Sequence, residues 1–81
     1  MKKLLNTLYV LTQESYLYHR NENICVKVGG EEKVSIPALT LENIVCFGVN
    51  TVSTLLIGFC GEKGIALTFL SGNGRFLGRV T

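Results

Sequence analysis

Few residues of this 81-residue chain have side chains suited to catalysis, and these are scattered. His19 is the only histidine, there is no aspartate, and Cys25, Cys46 and Cys60 lack the close spacing of a zinc site. Metal-dependent cleavage of phosphodiesters needs several converging carboxylates or histidines, which the sequence does not supply. We therefore predict no catalytic site, no metal site and no cofactor within these residues.

The cysteines leave one enzymatic alternative open. A thiol enzyme would use Cys46 or Cys60, or would pair a cysteine with His19 as the base. An odd number of widely spaced cysteines instead favours small buried side chains in a reducing compartment. We therefore expect a cytoplasmic protein with free thiols, in which alkylation would affect activity only if the thiol alternative holds.

A glycine-rich segment, Ser71–Gly74, precedes Arg75 and resembles a phosphate-binding loop. Such loops bind phosphate because they lead into a helix N-terminus, whereas a strand pattern follows here. The segment therefore predicts a hairpin turn, in which Asn73 and Gly74 tolerate positive φ. Arg75 would project its charge from the end of that hairpin.

Tyrosines and basic residues suggest a second kind of binding surface. Tyr9, Tyr16 and Tyr18 could stack on nucleic-acid bases, although tyrosines on half-buried strands more often pack with the hydroxyl at the rim. The basic side chains are dispersed along the sequence and share a face only if the hairpins stack: Arg20, Lys27, Lys33, Lys63, Arg75 and Arg79.

Composition restricts the class of protein. Hydrophobic residues make up 47% of the chain, charged residues 17%, and the net charge is +2. This excludes a disordered chain, and the length excludes a second domain. The shortage of charge indicates an apolar surface that a partner covers, while the net charge is too small to indicate nucleic-acid binding by itself. No apolar run approaches the length of a membrane span.

The first half of the sequence predicts short strands separated by polar turns. An initial strand runs from Leu4 to Leu11, and Ser15 to His19 follows with Tyr16 and Tyr18 on one face. Two further alternating strands lead to Pro37, which ends the last of them. The close spacing of the turns predicts an antiparallel meander.

In the second half of the sequence, the spacing of the apolar residues changes. Residues 44–47 form a continuous apolar run, typical of a strand covered on both faces. Thr51 or Ser53 can cap a helix whose apolar stripe runs from Val52 to Lys63, with Gly64 as its C-cap. The last hairpin follows.

We predict one α+β, mainly β domain over residues 1–81, an antiparallel sandwich of meander hairpins with one short helix before the last hairpin. Because that hairpin reaches Thr81 without a polar tail, we expect a piece of a longer protein.

The order of these segments resembles a known family. The strand "KLLNTLYVLT", the strand ending "KVSIP", the segment "LENIVCFG", the helix "TVSTLLIGFCGEKG" and the hairpin "IALTFLSGNGRFLGRV" follow one another. Together they resemble the N-terminal β domain of the CRISPR-associated endonuclease/integrase, the first-numbered Cas protein of the spacer-acquisition complex. The resemblance covers all 81 residues and is greatest to bacterial subtype I-C members.

The resemblance implies a function for a longer parent protein. Such a protein is a DNA endonuclease that inserts spacers into the CRISPR array in antiviral defence, using a divalent metal (Mg or Mn). Its catalytic glutamate, histidine and aspartate lie in a helical C-terminal domain, so no catalytic residue transfers to this chain. The N-terminal domain serves in homodimerisation and lines a platform for double-stranded DNA, and the second-numbered Cas protein bridges the dimers.

Two DNA-binding positions follow from the same resemblance. Lys33 lies four residues before the proline of "IP", and Arg75 follows the final hairpin turn. Both would bind phosphates without reading sequence. An aromatic wedge that some relatives use has no counterpart, because Thr12, Gln13 and Glu14 occupy the corresponding turn. The alternative from another class is a free-standing β module for nucleic-acid binding or oligomeric assembly.

Overall fold

A computed structural model describes all residues from Met1 to Thr81 and contains two sheets that enclose one core. Strands account for 54% of the residues and helices for 16%. The strands are β1 (Lys2–Leu4), β2 (Thr7–Val10), β3 (Ser15–Arg20), β4 (Asn23–Val28), β5 (Glu31–Pro37), β6 (Asn43–Phe47), β7 (Asn50–Val52), β8 (Ala66–Leu70) and β9 (Phe76–Val80). The helix α1 (Thr54–Lys63) precedes the last hairpin, as predicted.

The mainly β class with a single α-helix is confirmed, and the pairing adds parallel contacts that the hairpin pattern did not predict. The first sheet has the order β1-β2-β6-β8-β9 and the second β5-β4-β3-β7. The strands β3, β4 and β5 form the predicted antiparallel meander, and β8 and β9 form the final hairpin. However, β6 is parallel to both β2 and β8, and β7 is parallel to β3. Both sheets are therefore mixed.

The start of the chain differs from its prediction. The strand expected from Leu4 to Leu11 is instead a tight hairpin of β1 and β2, which turns at Leu5 and Asn6. Leu5 takes a positive φ of 55°, a conformation that leucine rarely adopts. The strand pattern did not predict this turn because only Asn6 is a typical turn residue. The short strand β7 was also missed, and Thr51 lies within it.

The helix begins and ends at the predicted caps. The Ser53 Oγ accepts a hydrogen bond from the Leu56 N–H at 3.0 Å, and Gly64 has the left-handed φ of 72° expected of a C-cap. Leu56, Phe59 and Cys60 of the predicted apolar stripe are buried against the sandwich, whereas Leu55 is 76% exposed, so the buried face is narrower than predicted. At ten residues, α1 is not long enough to cross a membrane.

The core draws on both sheets and the helix. Its members come from β2, β3, β4, β6, β8 and α1, with Ala38, Leu41 and Ile65 closing the end where α1 stops. Because successive strand residues point to opposite faces, the buried residues leave their neighbours on the outer faces of the sandwich.

Gln13 ties two connections together at the end of the sandwich that we call the loop end (residues 11–14, 29–30, 48–49 and 71–75). Its Oε1 accepts from the Val49 N–H at 2.8 Å, and its Nε2 donates to the Phe47 carbonyl at 3.3 Å. The Glu14 N–H donates to the Val49 carbonyl at 2.7 Å. Between them, Gly48 has a φ of 79°, and a Cβ there would overlap the Gln13 amide.

We expect Gly48→Ala to destabilise the fold by about 1–3 kcal/mol, because positive φ strains alanine and the new methyl group displaces the Gln13 amide from its hydrogen bonds. Urea denaturation measures this change. The matched control is Gly61→Ala in α1, where nothing lies within 4 Å of the added Cβ and the free energy of unfolding should rise by about 0.5–1 kcal/mol. Equal changes in the free energy of unfolding for the two substitutions would contradict the structural role assigned to Gly48 and Gln13.

Candidate nucleic-acid interface

The two predicted DNA-binding residues lie near the same end of the sandwich but at opposite edges. Lys33 lies on β5, an edge strand of the second sheet, and lines a groove with Met1 and Thr12 beside β1. Arg75 immediately precedes β9, the opposite edge of the first sheet from β1. Strands are spaced about 4.8 Å apart, so roughly 19 Å of sheet separates the two edges. The structure therefore does not bring the two residues into one local site.

Lys33 has an acidic partner. Its Nζ lies 3.0 Å from the Glu31 Oε1, with both side chains largely exposed. An exposed pair of this kind is worth little in stability, but it neutralises the local charge. Lys33 therefore presents less net positive potential than an unpaired lysine would.

Arg75 lies at the end of a well-formed hairpin turn. The Ser71 Oγ accepts from the Arg75 N–H at 2.9 Å, and the Ser71 N–H donates to the Arg75 carbonyl at 2.7 Å. Gly74 has a φ of 90°, as the predicted turn requires. This turn fixes the Arg75 backbone, while its exposed guanidinium forms no salt bridge with any carboxylate.

Salt bridges divide the cations of the molecule into two groups. Arg20 pairs with Glu32, Lys33 with Glu31, and Lys63 with Glu22. The cations without a salt bridge are Lys2, Lys3, Lys27, Arg75 and Arg79. Four of these five lie on β1 or on the β9 hairpin, the two edges of the first sheet. The five strands of that sheet contain no acidic residue. We call its outward side the carboxylate-free face.

One row of residues crosses the whole carboxylate-free face. Its members are registered partners on successive strands, in the order Lys2, Tyr9, Val45, Thr68 and Arg79. The row faces outward because the residues that alternate with it, such as Leu8, Ile44 and Leu67, are buried in the core. A cation therefore lies at each end of a row roughly 19 Å long.

The sequence prediction missed Lys2 and left Arg79 among the dispersed cations. Lys2 precedes the strand predicted from Leu4, so no face was assigned to it. The alignment of Lys2 with Arg79 depends on four successive strand pairings, of which the sequence pattern predicts only the last, the hairpin of β8 and β9.

The predicted cluster of three tyrosines does not form as one group. Tyr16 and Tyr18 stack on the second sheet, with ring centroids 5.8 Å apart, whereas Tyr9 lies on the first sheet. The Tyr18 hydroxyl donates to the Glu32 carboxylate, and the Lys27 Nζ lies 4.9 Å from the centre of the Tyr18 ring. The outer face of the second sheet is thus a network of paired polar groups.

Glu32 is the centre of that network. Hydrogen bonds from Arg20 and Tyr18 hold the pKa of its carboxyl down at about 2. The same hydrogen bond to Glu32 raises the pKa of Tyr18 to about 12. Arg20 contributes a second contact, 3.1 Å from Nη2 to Oε2. The cluster therefore holds a fixed negative charge between two donors.

The cysteines and the histidine occupy structural positions. All three cysteines are free and buried, and burial raises the pKa of Cys46 to about 12 and of Cys60 to about 11. Thiols with raised pKa values are poor nucleophiles, which argues against the thiol-enzyme alternative. The His19 ring stacks on Phe59 with centroids 4.3 Å apart. No group of three or more metal-ligating side chains comes together in the structure.

Comparison with known proteins identifies a family. The family model described as "CRISPR associated protein Cas1" matches residues 8–81. The CRISPR-associated endonuclease Cas1 1 of Chlorobaculum tepidum is 48% identical over 77 residues, which cover 95% of this chain and 22% of that protein. The chain therefore spans about a quarter of the length of such relatives. Their names carry no subtype, so the assignment to subtype I-C stays a prediction.

Solved structures confirm the fold. A Cas1 protein from Thermotoga maritima superposes with a TM-score of 0.78 at 22% identity, covering 90% of this chain and 24% of that one. A chain of a partial Cas6-RT-Cas1–Cas2 complex superposes with a TM-score of 0.86 at 23% identity, covering 93% of this chain and 23% of that one. The predicted likeness to the N-terminal β domain of this family is therefore confirmed.

We expect Glu32→Gln to lower the stability of the protein at pH 7. The variant should also lose less stability than wild type when the pH is lowered. The folded-state pKa of Glu32 lies below its ordinary value of 4.5, so its ionised form contributes stability above that value. This contribution disappears as the pH falls from about 4.5 towards about 2. Denaturant midpoints measured between pH 7 and pH 2 should therefore converge for wild type and E32Q. Glu14→Gln, which removes a glutamate outside any salt bridge, is the control. A constant difference at every pH would contradict the role assigned to Glu32.

Proposed function

Because the chain belongs to the Cas1 family of CRISPR-associated proteins, we propose that it is the dimerisation and DNA-platform domain of a longer endonuclease/integrase that inserts spacers into the CRISPR array. The observation that carries the proposal is the separation of charge. Cations without salt bridges lie at both edges of a sheet whose strands contain no carboxylate.

The DNA contacts of this proposal are made to phosphates. Arg75, Arg79 and Lys2 supply charges that no carboxylate offsets, and Lys33 supplies one beside Glu31. A sheet face about 19 Å across, with cations at its edges, suits the regularly spaced phosphates of a duplex. Such contacts position the double-stranded DNA and carry no sequence information directly.

Dimerisation in this proposal uses the edge strand β9. The other three edges are protected: β1 and β7 have three residues each, and β5 carries Glu31, Glu32, Lys33, a register shift at its pairing with β4, and Pro37. β9 also carries one charge, Arg79, and a register shift at its pairing with β8, but it has five residues and exposes Phe76 and Leu77 at 61% and 57% of their surfaces. An exposed apolar edge of this length favours pairing with a second copy of the same strand.

The symmetric pairing would centre on Gly78. Antiparallel β9 strands paired about this residue place Leu77 opposite Arg79 of the partner subunit, so like charges do not face each other. A Cβ added at Gly78 would meet nothing within 4 Å, and its absence permits a close approach of the second strand. The two carboxylate-free faces would then join into one longer platform, with twice as many cations.

Catalysis belongs to the rest of the parent protein in this proposal. The relatives are named endonucleases, which supports an enzymatic parent. The residues of this chain do not fit a divalent metal such as Mg or Mn, because no group of ligating side chains converges. The metal and its ligands would lie outside these 81 residues. A Cas2 partner is supported by the Cas1–Cas2 complexes that share the fold.

Removing cations from the carboxylate-free face should reduce the salt dependence of DNA binding. We expect the double variant Lys2→Gln, Arg75→Gln to lower the slope of log K against log salt by about 1.8, at about 0.9 per lost phosphate contact. Lys33→Gln should have a smaller effect, because Glu31 already offsets that charge. Fluorescence titration with two DNA duplexes of unrelated sequence, at several salt concentrations, measures the slope for each variant.

The control for this measurement is Lys63→Gln, which removes a cation paired with Glu22 at the opposite end of the sandwich. Its slope should match that of wild type. Equal slopes for wild type and the double variant would overturn the assignment of the DNA platform to this face.

A charge placed on β9 should abolish self-association. We expect Leu77→Lys to sediment as a monomer at concentrations where wild type is dimeric, because the lysine would have to be desolvated in the paired edge. Leu55→Lys is the matched control, since Leu55 is also exposed, at 76%, but lies on α1. A wild type that remains monomeric at high concentration, or an unchanged L77K dimer, would contradict this interface.

A further inference from the structure

A groove lies at the end of the sandwich opposite the loop end, between the 3-10 turn Ala38–Thr40 and the last turn of α1. We call it the exit groove. It is lined by Glu22, Ala38, Leu39, Leu41, Glu42 and Lys63. None of these residues belongs to the DNA platform or to the β9 edge, so the proposed function leaves the groove unused.

The lining combines an apolar surface with a negative charge. Leu39 exposes 92% of its surface, while its neighbours Ala38 and Leu41 are buried. Glu22 forms a salt bridge with Lys63 at 2.6 Å. Glu42 has no cationic partner, and its carboxylate accepts only from the Asn6 amide. An occupant would therefore place an apolar side chain on Leu39 and a basic side chain beside Glu42.

The direction of β9 brings the chain close to this groove. Val80 is registered with Leu67, and the Ala66 N–H donates to the Glu42 carbonyl at 3.0 Å. The residue after Val80 is therefore about two strand spacings, or roughly 10 Å, from Glu42. Three or four extended residues cover that distance.

We propose that the exit groove binds the segment of the parent chain that immediately follows Thr81. The proposal rests on the proposed function, in which this chain is the first quarter of a longer protein, as the lengths of its relatives indicate. Residues roughly three to ten positions beyond Thr81 would supply the apolar and basic side chains. The contact would hold the part of the parent chain that follows at this end of the sandwich.

The charge around the groove disfavours a second copy as its occupant. Glu22 is paired with Lys63, so Glu42 is the one charge of the groove that no cation offsets, and two copies joined through Leu39 would bring two such Glu42 carboxylates towards each other, which is repulsive. A covalently connected segment also binds at high effective concentration, so a groove with one exposed leucine and one carboxylate suffices for it.

Hydrogen exchange of the full-length parent tests the proposal. In Leu39→Asp, we expect amides in the segment after Thr81 to exchange about tenfold faster than in wild type, because the apolar contact is lost and a like charge is added beside Glu42. Leu39→Ala removes the contact without adding charge and should accelerate the same amides to a smaller extent. Leu55→Asp, which places the same charge on an exposed leucine of α1, should leave them unchanged.

The exchange of amides in β2 and β6 reports whether each variant is folded. If Leu39→Asp is misfolded, the result for Leu39→Ala decides whether the groove binds the segment. Unchanged exchange after Thr81 in a folded Leu39 variant overturns the proposal. So does equal acceleration in Leu55→Asp. A gene without codons after Thr81 would instead refute the proposed function itself, and the two failures are therefore distinguishable.

Discussion

The strand β6 is the constraint on which the rest of the structure depends. It lies in the middle of the first sheet, parallel to both of its neighbours, with Ile44 and Cys46 buried in the core. Parallel neighbours cannot be joined by a hairpin, so the chain must cross over on either side of β6. One crossover builds the second sheet from β3, β4 and β5, and the other contains β7 and α1. The second sheet and the helix therefore lie within the two crossovers that connect β6 to its neighbours in the first sheet.

This arrangement also determines the surface. With β6 in the centre, β1 and the β9 hairpin become the edges of the first sheet, and both carry cations without salt bridges. The glutamates lie on the second sheet, on the helix or in connections. Although the net charge is only +2, the unpaired cations and the glutamates are therefore separated on the surface. The proposed platform depends on this separation and not on the total charge.

The shortage of charged residues has several structural consequences. A domain of this size buries a limited fraction of its surface, and apolar side chains remain outside. Phe76 and Leu77 lie on an edge strand, whereas Leu39 lies at the exit groove. These sites lie on different elements, so the proposed contacts with a second copy and with the remainder of the chain use separate surfaces.

The sequence by itself determined the local elements: the strand alternation around Tyr16 and Tyr18, the Ser53 and Gly64 caps of α1, and the hairpin turn before Arg75. Each depends on the conformational preferences of a few adjacent residues, which are present before any long-range contact forms. The tertiary structure alone decided the parallel pairing of β6 and the alignment of Lys2 with Arg79. Both depend on the register between strands that are distant in the chain, which leaves no periodic pattern in the sequence.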